Sequence, residues 1–160
     1  MSLSKLRKFL DSRGIKYLVI SHSLAYTAQG VAALAHVSGK QLAKTVIVKV
    51  DGILAMVVLP AALHVDMNRL RQLTGARIVE LATEVEFKDA FPDCELGAMP
   101  PFGNLYDMPV YADVTLAQQE EITFTAGTHR ELVRMKWEDM LHLVHPTVHA
   151  LAYPPSAAAA

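Results

Sequence analysis

A lysine at the head of an apolar strand is the first residue here that asks for chemistry. In Ala43-Lys44-Thr45-Val46-Ile47-Val48-Lys49-Val50 the period of two puts Lys44 on the face of Val46, Val48 and Val50. A charge opening a covered face is costly unless the ammonium snorkels out at the strand end or reaches a cavity. The second candidate is the loop Gly97-Ala98-Met99-Pro100-Pro101-Phe102-Gly103. Two glycines around a Pro-Pro-Phe centre make a stiff segment whose backbone can approach a ligand closely. Its N–H groups could receive a carbonyl oxygen or an oxyanion, although a structural Ω-loop has the same composition.

Other reactive residues fit their obvious roles poorly. Cys94 sits between Asp93 and Glu95, where negative charge disfavours a thiolate. His142, His145 and His149 invite a metal reading, but Pro146 breaks the helix between the last two. No thiol or carboxylate cluster completes a site, so no metal is expected. The chain has no phosphate-binding glycine loop, dinucleotide fingerprint or nucleophile elbow, and no cofactor is expected. An enzyme of this make-up works by positioning and electrostatics, without a covalent protein intermediate.

The elements that must position these residues centre on a hairpin. Two apolar, β-branched runs, 43–50 and 53–60, flank Asp51-Gly52, a pair suited to a tight primed turn. Both runs are apolar on nearly every residue, which places the hairpin in mid-sheet. Before it come an amphipathic helix over 3–13, a strand over 15–20, and a helix over 28–37 capped by Thr27. After it, Asp66 caps a helix closed by Gly75, and a strand runs over 76–81. Thr83 and Glu86 form a capping box. Residues 93–109 lack periodicity, and short strands are expected over 110–113, 121–125 and 132–135. A last helix carries Trp137, Met140, Leu141 and Val144. Residues 151–160 read as a loose, flexible tail after a single domain over 1–150. The fold class is α+β: a central mixed or antiparallel sheet surrounded by helices.

The chain has 160 residues, of which 52% are hydrophobic and 19% charged, a balance that excludes disorder. The lone cysteine excludes an intrachain disulfide framework, and no apolar run suggests a membrane partner. A cytoplasmic location is the expectation. The net charge of −1 hides an asymmetry. Residues 1–50 hold Lys5, Arg7, Lys8, Arg13, Lys16, Lys40, Lys44 and Lys49 against Asp11 alone. That basic third suits a polyanion, though solvated helix faces would look the same.

An ordered set of segments then becomes familiar. His22-Ser23-Leu24-Ala25-Tyr26-Thr27-Ala28-Gln29, Ala43 to Val48, Val57-Val58-Leu59-Pro60-Ala61, Val65-Asp66, Gly97 to Gly103 and Ala126-Gly127-Thr128-His129 together resemble the YbaK/EbsC family. Its members are free-standing relatives of the editing domain inserted in bacterial prolyl-tRNA synthetases. The resemblance runs from about residue 15 to 146. It implies an aminoacyl-tRNA deacylase that hydrolyses the ester of a mischarged tRNA, with water attacking and no side-chain nucleophile. It implies catalytic roles for Lys44 and for the backbone at Gly97; His129, a third catalytic candidate, would either orient the substrate or satisfy a buried strand end. Substrate contacts would come from His22, Tyr26, Thr27, Thr45, Ala98, Met99, Pro100, Pro101, Phe102 and Gly103. The partner would be the acceptor end of a mischarged tRNA, with tRNA-Pro the first candidate and a synthetase a further one. Small residues (Ala25, Ala98, Gly127) favour a small amino acid such as alanine, serine or cysteine. Two other readings stay open: a non-catalytic tRNA- or synthetase-binding module of the same fold, and a Schiff-base enzyme built on Lys44.

Overall fold

The hairpin forms because its turn residues accept left-handed backbone. Asp51 (φ 48°) and Gly52 (φ 82°) join β2 (Leu42–Val50) to β3 (Ile53–Pro60). Val50 faces Ile53 and Ala43 faces Pro60, a register that runs the length of both strands. The Asp51 carboxylate also accepts from the amides of Arg77 and Ile78, both at 3.0 Å, which pins the turn to the chain just before Val79.

The computed structural model describes residues 2–21 and 41–154. The expected helix over 28–37 and its cap Thr27 lie outside the described residues. The remaining strands are β1 (Tyr17–Ser21), β4 (His64–Val65), β5 (Val79–Leu81), β6 (Val110–Asp113), β7 (Glu121–Thr125), β8 (Glu131–Lys136), β9 (Thr147–His149) and β10 (Ala152–Tyr153). The helices are α1 (Ser2–Ser12), α2 (Met67–Thr74), α3 (Glu84–Phe87) and α4 (Trp137–Val144). The main sheet is mixed, in the order β1-β8-β7-β2-β3-β6-β9, so the hairpin is central. β2–β7, β3–β6 and β6–β9 are parallel pairs, and β1–β8, β7–β8 and β2–β3 are antiparallel. This is the expected α+β architecture.

Two apolar layers cover the sheet. On one face Ala43, Ile47, Met56 and Val58 pack with Phe102, Phe124, Trp137 and the α1 residues Leu6 and Leu10. On the other Val48, Val57 and Leu59 pack with Leu70 of α2 and with Leu151. The second layer corrects the expected tail. Leu151 is fully buried and Ala152 and Tyr153 pair with Val65 and His64, so the ordered domain extends beyond residue 150. Asp113 causes this, because its buried carboxylate accepts from the Leu151 amide at 2.8 Å.

Candidate functional site

The edge of β2 facing β7 changes partner along its length. β7 pairs with Leu42 and Ala43, whereas β5 pairs with Val48, Lys49 and Val50. Lys44, Thr45 and Val46 therefore lie at a fork where two neighbouring strands diverge. This is why a lysine is tolerated in a central strand: the sheet opens beside it.

Lys44 is half-buried, and among the described residues its ammonium has neither a hydrogen bond nor an ion pair. Burial alone lowers its pKa from 10.5. Its side chain lines a cavity of about 290 Å³ with Val46, His64, Val65, Met67, Leu81 and Tyr153. Lys49, five residues on, is different. It bridges Glu80 at 3.2 Å and also binds Glu86, as an ordinary surface pair would. Thr45, half-buried, alternates to the opposite face.

The loop is held on the other prong of the fork. The Gly127 amide, just past the end of β7, donates to the Ala98 carbonyl at 2.7 Å, and Glu95 N donates to Gly127 O at 2.8 Å. His129 ties this arrangement together. Its backbone N–H donates to the Glu95 carboxylate at 3.1 Å, and its ring Nε2 lies 2.7 Å from the Leu96 carbonyl. A carbonyl only accepts, so Nε2 carries the proton. Gly97 has φ 83°, and a Cβ there would stand 3.4 Å from the His129 ring. Gly97, Ala98 and His129 thus form one unit.

The rest of the loop faces inward. Ala98, Met99, Pro100, Pro101 and Phe102 are buried, and Phe102 stacks obliquely on Phe124 with centroids 5.6 Å apart. At Gly103 a Cβ would lie 2.4 Å from the Met108 carbonyl oxygen, so only glycine fits. Phe102 and Gly103 therefore shape the loop from within. Among the described residues, the amides of Gly97 and Met99 have no hydrogen-bond acceptor, although Met99 is buried. An unpaired donor on a buried residue such as Met99 is rare enough to suggest a ligand, and the exposed Gly97 amide lies two residues before it.

The sequence-predicted residues thus fall into three groups. Gly97, Ala98 and His129 are in contact, Lys44 faces a cavity that the loop does not line, and His22, Tyr26 and Thr27 lie outside the described residues. Cys94 Sγ lies 3.5 Å from the Tyr106 hydroxyl, whose pKa is pushed up by burial and then by this contact. Lys5 is committed rather than free: it donates to Leu105 O at 2.9 Å and sits 4.5 Å above the Tyr106 ring. His64, Tyr153 and Asp113 were not picked out in the sequence. Only the sheet pairing brings the first two to Lys44, and no local motif signals it.

The fold is thus a mixed-sheet α+β domain with a lysine that has no partner among the described residues at a strand fork, and with a braced glycine–proline loop. Residues 22–143 match the model of the aminoacyl-tRNA editing domain, and the chain belongs to that family. Among curated relatives, a proline–tRNA ligase of Bacillus mycoides (strain KBAB4) is 30% identical over 87 residues. That match covers 54% of this chain and 15% of the ligase. Among solved structures, a hypothetical protein superposes with a TM-score of 0.85 at 21% identity, covering 93% of this chain and 99% of the other. A candidate trans-editing enzyme for prolyl tRNA synthetase gives 0.82 at 22% identity, over 95% and 97% of the two chains. Among the described residues no helix is long and apolar enough to cross a membrane, and no three His, Cys, Asp or Glu side chains group around a metal-sized space.

Proposed function

We propose that this domain hydrolyses the ester of a mischarged aminoacyl-tRNA, with a small amino acid on tRNA-Pro as the first substrate to try. One observation carries the reading: the half-buried ammonium of Lys44 at the fork of the sheet, without a partner among the described residues. A structural lysine would be paired, as Lys49 is. The likeness to part of a proline–tRNA ligase supports the choice of tRNA, and the buried Ala98 and Gly127 support a small amino acid.

In this mechanism Lys44 holds the 3′ end through its positive charge. The unpaired amides of Gly97 and Met99 receive the carbonyl oxygen as it becomes an oxyanion. Water oriented by a ribose hydroxyl of the terminal adenosine attacks the carbonyl carbon. The ester C–O bond then breaks and the proton passes to the departing ribose oxygen. His129 is a positioning residue, because its Nε2–H is spent on the Leu96 carbonyl.

The test is single-turnover deacylation of alanyl- and cysteinyl-tRNA-Pro by the wild type and Lys44→Ala. The wild type should release the amino acid. The variant should lose that activity and still melt cooperatively. A Lys44→Ala protein with near-normal rates would remove the lysine from the mechanism. A wild type that binds these tRNAs and cleaves none would favour the binding-module reading.

A further inference from the structure

We infer that the cavity beside Lys44 receives the terminal nucleoside of the tRNA, its base stacked on Tyr153 and His64, while the aminoacyl group points to the Gly97 loop. This assignment of the two ends rests on the editing reading above.

Charge separates the ends. Among the described residues, the walls of the cavity contain one ammonium and no carboxylate. Such a site repels the α-ammonium of an aminoacyl group and accepts an electron-rich one. Asp66, adjacent in sequence, is committed to the Arg69 amide at 3.1 Å and to Arg69 Nε at 3.6 Å. The loop side has the opposite character. There the exposed Glu95 carboxylate, fixed by the His129 amide, can face an ammonium.

Shape and surface agree. Tyr153 and His64 are direct partners across β10 and β4, with ring centroids 5.8 Å apart and an interplanar angle of 41°. Sheet pairing makes this aromatic edge rigid. Aromatic faces beside a positive charge are the combination that binds single-stranded nucleic acid, through stacking and attraction to the backbone. The volume of about 290 Å³ lies at the lower end of small-molecule sites, enough for one nucleoside and too little for several. Tyr153 lies beyond residues 22–143, so this wall is supplied from outside the matched region.

The experiment uses the full chain and an uncharged CCA trinucleotide RNA carrying a fluorescent purine in place of the terminal adenine. The wild type should quench the purine. Tyr153→Leu, which keeps apolar bulk without a ring, should weaken binding on the order of tenfold and abolish the quench. Tyr153→Phe should retain both, and melting curves should show all three proteins folded. Ultraviolet crosslinking of the same probe to the wild type should map to Tyr153 or His64, which tests the site without any variant. A wild type that does not bind, a leucine variant that quenches normally, or a crosslink confined to the loop would overturn the assignment. Deacylation assays on the same proteins separate the two ideas. Ring-dependent binding by a wild type that cleaves no mischarged tRNA would sink the editing reading alone. Cleavage with ring-independent binding would sink this site alone.

Discussion

Asp113 at the end of β6 holds Leu151, 38 residues away, through a 2.8 Å bond from the Leu151 amide to its Oδ1. The other carboxylate oxygen accepts from the Thr115 amide at 3.1 Å and from the Thr115 hydroxyl. Asp113 is only 2% exposed, and all three donors face the same acid. One buried carboxylate therefore fixes both the turn after β6 and the start of the segment that delivers Tyr153 to the Lys44 cavity.

Asp113→Ala should then act at a distance. Leaving the buried Leu151 and Thr115 donors unsatisfied should cost about 1–3 kcal/mol in urea unfolding. Amide exchange across residues 151–153 should accelerate more than exchange in the hairpin. Uniform exchange along the chain would mean that Asp113 stabilises β6 without anchoring the C-terminal strand.

Lys44 should be a liability for stability. Its pKa is lowered in the folded state by burial, so the unfolded chain binds the proton more tightly. The penalty is fully present below the lowered folded value and fades as pH rises toward 10.5, the value of the free side chain. Lys44→Met should therefore raise the Tm at neutral pH and lose that advantage in strong alkali. A variant less stable than wild type at pH 7 would show that the ammonium has a stabilising partner.

What could be read in advance was local chemistry. The Asp51-Gly52 turn, the Asp66 cap accepting from the Arg69 N–H, and the reciprocal Thr83–Glu86 box each depend on residues within a few positions of one another. The parallel pairings of β2 with β7 and β3 with β6 join residues more than fifty positions apart. Nothing in either strand alone specifies such a partner. The fork at Lys44 is a product of those pairings, so alternation could flag the lysine but not the opening that houses it. Residues 152–153 carry no local signal for the same reason, because Ala152 and Tyr153 acquire a partner only through β4. In the loop, the glycines and prolines signalled rigidity. The brace from His129 to Leu96 crosses 33 positions and left no such signal.

Glu86 gives the chain an acid-sensitive contact. Its hydrogen bond with Lys49, and then those with Thr83, hold its pKa at about 2 against 4.5 for the free side chain. The contribution is therefore present above 4.5 and lost as the pH falls through about 2. Glu86→Gln should lower the melting temperature slightly at pH 7, and the difference from wild type should vanish near pH 2. A gap of equal size at both pH values would assign the effect to the capping box rather than to charge.

The Gly97 loop separates backbone catalysis from side-chain catalysis. Gly97 has φ 83°, a region that β-branched residues avoid, and its Cβ position is already within 3.4 Å of the His129 ring. Gly97→Val should shift the amides of Gly97 and Met99 and slow single-turnover deacylation by roughly 10²–10³, the loss expected for one oxyanion donor. Cys94→Ser should retain near-normal rates, because a serine hydroxyl can take over the contacts of the sulfur with the Asp93 carboxylate and the Tyr106 hydroxyl. His129→Ala should fall between them. Losing the Nε2 brace loosens the loop without removing a proton-transfer group, so kcat should drop while the pH profile keeps its shape. The three variants belong in one assay with one mischarged tRNA. A dead Cys94→Ser beside an active Gly97→Val would replace the backbone mechanism with thiol chemistry. A His129→Ala profile that loses a titration near neutrality would make the imidazole a catalytic base instead of a brace.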